Sequence, residues 1–138
     1  PLGSAVVRRS GRHLTIVATQ ALLLKALAVA DRFAVRGIEI EVIDPRCLVP
    51  LDVGTIVGSV AKTHRLLICH EAVEQYGWAG EIAFQMMENA FFELDAPIGR
   101  VCSKNYPVPY SAPLERAVIP EEAEIEQAVE RVLVGARL

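Results

Sequence analysis

Apolar positions along this chain follow two alternating rhythms. Short runs rich in β-branched residues occur at Leu14–Thr19, Ile38–Ile43 and Leu66–Cys69, the pattern of strands buried on both faces. A fourth strand is predicted at Pro97–Cys102. Between the runs, apolar residues recur every three or four positions. Leu22, Leu23, Ala26, Leu27, Ala30 and Phe33 predict a helix that opens at Thr19 or Gln20 and runs to Arg36, where Gly37 stops it. Asp52 is a natural N-cap for a second helix carrying Ile56, Val57 and Val60 and ending in Lys62-Thr63-His64. Gly77 precedes a third helix, from Trp78 to about Phe92. Pro120 at the first helical position, followed by Glu121-Glu122, opens a last helix to about Val134. Val6–Arg8 is predicted to pair with the start of Leu14–Thr19 across a Ser10-Gly11 turn. The stretch Asn105–Pro113 is too rich in proline for a central strand or a helix. Strand and helix alternate throughout, which predicts an α/β domain with a mainly parallel sheet.

Composition narrows the class. With 138 residues, 52% of them hydrophobic and 22% charged, the chain suits one well-buried domain. A formal charge of −3 gives no electrostatic footprint for nucleic acid. The longest apolar stretch, Ala21–Ala30, is interrupted by Lys25 and is too short for a membrane span, so neither partner is expected. Cys47, Cys69 and Cys102 show no metal-ligand or disulfide-framework spacing, which predicts a reducing, cytosol-like compartment. Residues Pro1–Ser4 read as the remnant of a cleaved purification tag, so residues 5–138 are expected to be a domain excised from a longer chain.

Candidate chemistry gathers where strands end. In open α/β sheets that is where ligands bind. The run Ile38–Ile43 stops at Asp44 and opens onto Pro45-Arg46, with Asp52 further on. Two readings stand: Arg46 holds an anion, or Asp44, Arg46 and Asp52 form an ion-pair network that fixes the turn and docks another domain. His70-Glu71 is expected at the carboxyl end of the third strand. It would serve as a general base or ligand-orienting pair, or else as a structural hydrogen bond or interface. Tyr76 and Trp78 near a helix start suit core or interface anchoring better than a cofactor box. The run Glu121, Glu122, Glu124, Glu126 and Glu130 reads as a solvated helix face, with an acidic docking surface as the sharper alternative. The first strand leads into Thr19-Gln20-Ala21, without the glycines that let a backbone approach a pyrophosphate.

Taken in order, GRHLTIVA, GIEIEVIDPRCLVPLD, SVAKTHRLLICHEA, GWAGEIA, DAPIGRVC, YPVPYS and LERAVIP resemble the carboxyl-terminal domain of transketolase-like thiamine enzymes. Within that superfamily the chain most resembles the beta subunit of the decarboxylating component of 2-oxoacid dehydrogenase complexes. RLLICHEA and APIGRVC lean towards branched-chain members, beside pyruvate and acetoin relatives. His13 replaces a usual aspartate, and Thr19-Gln20 replaces a turn that more typically contains glycine or tyrosine. The resemblance implies a three-layer α/β/α domain with about five mostly parallel strands. It implies that thiamine diphosphate and a divalent metal belong to the rest of the parent enzyme, with no cofactor, catalytic residue or metal in this chain. It further implies contacts with an alpha subunit, a second beta subunit of a heterotetramer and the acyltransferase core. Asp44, Arg46, His70, Glu71, Tyr76, Trp78 and Phe92 are the candidate interface or anion-site residues. The expected location is a bacterial cytoplasm or, second, a mitochondrial matrix.

Overall fold

A computed structural model describes residues 1–135; the last three residues of the predicted domain lie outside the described residues. Five strands form one sheet in the order β1-β3-β2-β4-β5. They are β1 (Val6–Arg9), β2 (Leu14–Ala18), β3 (Ile40–Asp44), β4 (Leu66–Val73) and β5 (Gly99–Ser103). The pairs β2–β3, β2–β4 and β4–β5 are parallel, and β1 joins the far edge of β3 antiparallel. Helices α1 (Gln20–Val35) and α5 (Glu122–Leu133) cover one face, and α2 (Val53–Thr63) and α3 (Ala79–Asn89) cover the other. This is the predicted three-layer α/β/α arrangement.

The layers follow from the two-residue period of the strands. On β4, Leu67 and Cys69 join the core beneath α1 and α5, while Leu66 and Ile68 join the core beneath α2 and α3. All five residues of β2 are buried, as a central parallel strand requires. Helix α1 gives Leu22, Ala26, Val29, Ala30 and Phe33 to the core it shares with Ile125, Ala128, Val129 and Val132 of α5.

Four expectations need correction. Val6–Arg9 does not form a hairpin with β2; Ser10-Gly11 instead carries the chain across the start of β3. A Cβ on Gly11 would lie 2.2 Å from the Glu41 amide nitrogen, so only glycine fits this crossing. Strand β4 does not stop at Cys69 but continues to Val73, which pairs with Ser103 after an irregularity at His70. A short helix α4 (Ala112–Val118) follows the proline-rich loop, with Pro113 in its first turn, where a missing N–H costs nothing. Helix α5 begins at Glu122, two residues later than predicted. Glu121 and Glu124 form a reciprocal capping box, leaving Pro120 outside.

The acidic run on α5 is neither free nor merely solvated. Arg32 bonds Glu122 and Glu126, Arg36 bonds Glu130, and Lys25 bonds Glu121. Arg32 of α1 and Arg36 at its carboxyl-terminal cap, four residues apart, face glutamates four residues apart on α5, zipping two helices over the core.

Beneath α2 lies a buried polar network that the apolar pattern gave no reason to expect. Glu41 of β3 is 2% exposed. One of its oxygens accepts from Ser59 Oγ at 2.6 Å; the other accepts from the Gly11 amide and from Lys62. Ser59 continues to Thr15, and Thr15 to Thr63. Burial pushes the Glu41 carboxyl up, but Lys62, Ser59 and the Gly11 amide together outweigh it and hold the value below that of a free glutamate.

A lowered folded value means this contribution is complete above the unfolded value near 4.3 and fades as pH falls through the folded one. Glu41→Ala should lower stability by about 2–3 kcal/mol, because buried donors lose their acceptor. Urea unfolding should also show less acid sensitivity below about pH 4.3 in this variant than in the parent.

Candidate functional site

Three parallel strands bring their carboxyl ends to one level, and a cleft of about 590 Å³ opens there. Helix α1 leaves β2 toward one face of the sheet, while α3 leaves β4 toward the other. The cleft lies between those two strand ends, the topological switch point at which α/β sheets part to admit ligands. Its lining includes Thr19 and Gln20 after β2, Asp44, Arg46, Cys47 and Leu48 after β3, and Glu71, Ala72 and Trp78.

Four of the seven candidate residues meet here: Asp44, Arg46, Glu71 and Trp78. Asp44 Oδ1 accepts the Arg46 backbone amide at 3.0 Å, fixing the turn. Glu71 Oε1 accepts the Ala21 amide at 3.1 Å, placing a carboxylate at the amino-terminal end of α1. Among the described residues, Asp44, Arg46 and Glu71 form no ion pair with one another or with any other charged side chain within 4.0 Å. The expected network of Asp44, Arg46 and Asp52 is therefore absent. Asp52 instead caps α2 and binds the Ala5 amide, and these donors hold its carboxyl below the ordinary range.

His70 does not act with Glu71. Neighbours on a strand point to opposite faces, so Glu71 reaches α1 while His70 lies fully buried toward α3. Its ring stacks on Trp78 at 4.6 Å between centroids, and Nε2 is 3.4 Å from Cys102 Sγ. Nδ1 has no hydrogen-bond partner of ordinary geometry. Burial lowers the affinity of His70 for a proton, opposed by the nearby Ala72 backbone and assisted by the Arg100 charge. Burial likewise pushes the Cys102 thiol up to about 11. A neutral thiol beside a neutral imidazole with no orienting third group is a packing contact rather than a nucleophile pair. Gly77 makes room for it, since a Cβ there would sit 2.6 Å from His70 Cε1 and 2.5 Å from the Val73 carbonyl.

Tyr76 and Phe92 stand apart from the cleft. Tyr76 is fully exposed and adjoins Tyr106 and Pro107 across a shallow depression. Phe92, also exposed, belongs with Phe91 and Met87 to a groove that ends at Pro97 and Ile98. Sequence reasoning missed Gln20, Cys47 and Leu48 in the cleft. Backbone torsion offered the only signal for Gln20: φ is +52° there, and Arg46 and Tyr76 are also left-handed, at +57° and +60°. Glycine takes such torsions without strain, and a residue with a Cβ takes them at a cost.

The matched family model, Transketolase, C-terminal domain, spans residues 3–125. The chain belongs to this family. It is 40% identical over 136 residues to the pyruvate dehydrogenase E1 component subunit beta-2, mitochondrial, of Oryza sativa subsp. japonica, covering 99% of this chain and 36% of that protein. It is 37% identical over 137 residues to the acetoin:2,6-dichlorophenolindophenol oxidoreductase subunit beta of Cupriavidus necator, covering 99% and 40%. A solved split gene transketolase, described as an inactive beta4 tetramer, superposes with a TM-score of 0.81 at 26% identity, covering 99% of this chain and 44% of that one. The chain thus spans less than half the length of these relatives. Their names are those of pyruvate, acetoin and transketolase proteins, so the branched-chain leaning gains no support from them.

The cleft offers no free helix terminus for the diphosphate of the thiamine cofactor that the resemblance assigns to the parent enzyme. The helix terminus that would meet a phosphate already holds the Glu71 carboxylate. Among the described residues, no group of three His, Cys, Asp or Glu side chains is placed to hold a metal ion.

Two outcomes follow. Gln20→Gly should stabilise the fold by about 1 kcal/mol in chemical denaturation, while Gln20→Ala keeps the strain. Because His70 binds its proton more weakly folded than unfolded, stability should rise with pH up to about 6.5 and then level off. In His70→Gln that slope should be smaller; an unchanged slope would place the titrating group elsewhere.

Proposed function

We propose that this chain is the assembly domain of the beta subunit of a thiamine diphosphate-dependent 2-oxoacid dehydrogenase, contributing contacts rather than catalytic groups. The parent enzyme would decarboxylate a 2-oxoacid oxidatively and pass the acyl group to lipoamide, with thiamine diphosphate and its divalent metal bound outside this domain. Residues 5–138 would then be one domain of a longer subunit, inactive alone. Its partners would be the alpha subunit, a second beta subunit and the acyltransferase core. The compartment would be a bacterial cytoplasm or a mitochondrial matrix. No helix among the described residues is long and apolar enough to cross a membrane.

The observation that carries this reading is the apolar surface left uncovered around α3. Phe84, Met87, Phe91 and Phe92 are each at least half exposed, in a domain whose cores are otherwise closed. A cluster of large apolar side chains in water marks an interaction site. Glu81, Glu88, Glu93 and Asp95 accompany it, and from Leu66 to Gly99 the chain carries no lysine or arginine. A partner segment that is apolar and basic complements such a face. Tyr76 and Tyr106 form a second exposed aromatic pair beside Pro107.

The second reading, an anion site at the strand ends, is weaker. Two carboxylates face one guanidinium in the cleft, and the helix terminus is occupied.

Calorimetric titration of the purified chain with magnesium and thiamine diphosphate should give no saturable heat; binding at micromolar concentration would contradict the assignment. In the complete beta subunit, Phe91→Ser with Phe92→Ser should weaken assembly with its partner subunits by tenfold or more, about 1.4 kcal/mol. Assembly unchanged in that variant would remove α3 as the docking face.

A further inference from the structure

The cleft at the strand ends has a property that assembly does not explain. Three charged side chains of both signs line one cavity and are held apart. Ordinarily, nearby opposite charges at a surface relax into contact and form ion pairs. Here, among the described residues, none of the three does so. Asp44 is engaged by the Arg46 backbone amide, and the left-handed torsion at Arg46 belongs to the same turn. Glu71 is tethered to the amino terminus of α1 through the Ala21 amide, whose partial positive charge offsets much of its own. Asp44 and Arg46 remain, one carboxylate and one guanidinium, each without a charged partner among the described residues.

The other walls are different in kind. The indole of Trp78, the Leu48 side chain and Ala72 give the cleft an apolar side. A volume of about 590 Å³ lies in the range of small-molecule sites. Its location between the ends of β2 and β4 is the switch point where α/β sheets bind ligands.

We propose that this cleft binds a free α-amino acid with an apolar side chain. The ammonium group would meet Asp44, with Glu71 as a secondary attraction. The carboxylate would meet Arg46, whose planar fork suits a two-oxygen acceptor. The side chain would lie against Trp78, Leu48 and Ala72. A diphosphate or a 2-oxoacid supplies no cation for Asp44. A simple amine supplies no anion for Arg46. Only a ligand carrying an ammonium and a carboxylate on one carbon, with an apolar body, satisfies all three walls.

Trp78 is the sole tryptophan of the chain and lines the cleft, so its fluorescence reports occupancy directly. The probes are L-leucine, 4-methylpentanoate, which lacks the ammonium, and 3-methylbutylamine, which lacks the carboxylate. L-leucine should produce a saturable change with a dissociation constant of about 1 mM or below. Each of the other two should bind at least tenfold more weakly. Arg46→Gln should reduce leucine binding tenfold or more, and Asp44→Asn likewise. Because Asp44 also fixes the turn, the unliganded melting temperature of both variants is measured alongside. If Asp44→Asn unfolds, Arg46→Gln decides, since no side-chain bond among the described residues depends on that guanidinium. No saturable change with L-leucine, L-valine or L-phenylalanine at about 10 mM would overturn the proposal. So would leucine binding that survives Arg46→Gln, or equal binding of either single-charge analogue. Failure here leaves the assembly role untouched, since that rests on the separate face at α3.

Discussion

The carboxylate of Glu41 is the point on which the arrangement of this domain turns. It sits in the middle of β3, at the depth of the core, and ties two separate pieces of chain to that strand: the crossing at Gly11, and helix α2 through Ser59 and Lys62. A buried charge of this kind is an expensive source of stability. Its effect is on register. Sliding β3 by one residue would carry Glu41 to the opposite face, beneath α1, away from every partner it now has. With β3 fixed against β2, and β2 against β4, the three strand ends arrive together and the cleft takes its shape.

The sequence displayed the frame of this fold plainly because its strands and helices obey different periods. β2, β3, α1, α2 and α5 lie within one or two residues of where pattern and capping put them. Failures came where a local pattern is ambiguous. Val6–Arg9 is a short strand beside a Ser-Gly pair, which looks like a hairpin; the pairing with β3 depends on a tight backbone approach at Gly11 that no periodicity reveals. β4 overran because the polar residues His70 and Glu71 resemble a strand end, although one is fully buried and the other caps a helix. The α5 glutamates looked free because their partners lie some ninety residues away on α1.

For the site, the residue types were legible and their grouping was not. Asp44, Arg46, Glu71 and Trp78 share a cleft, yet Asp44 and Arg46 are unpaired rather than locked in a network, and His70 packs behind Trp78 instead of facing solvent. Such distinctions depend on which face each strand residue occupies and on three left-handed backbone positions. The outcome is a domain with two separate kinds of surface. One is an acidic, aromatic face around α3 suited to a protein partner; the other is a cleft of mixed charge at the switch point suited to a small ligand.

The central claim is that this domain meets partner subunits through α3 and the turn that follows it. Hydrogen–deuterium exchange, compared between the complete beta subunit alone and the same subunit in its assembled complex, tests it most directly. Docking through this face predicts slowed exchange on assembly across residues 79–93, with α1 and α5, already zipped together by ion pairs, unchanged. Equal exchange over residues 79–93 in both states, with new protection confined to α1 and α5, would contradict it.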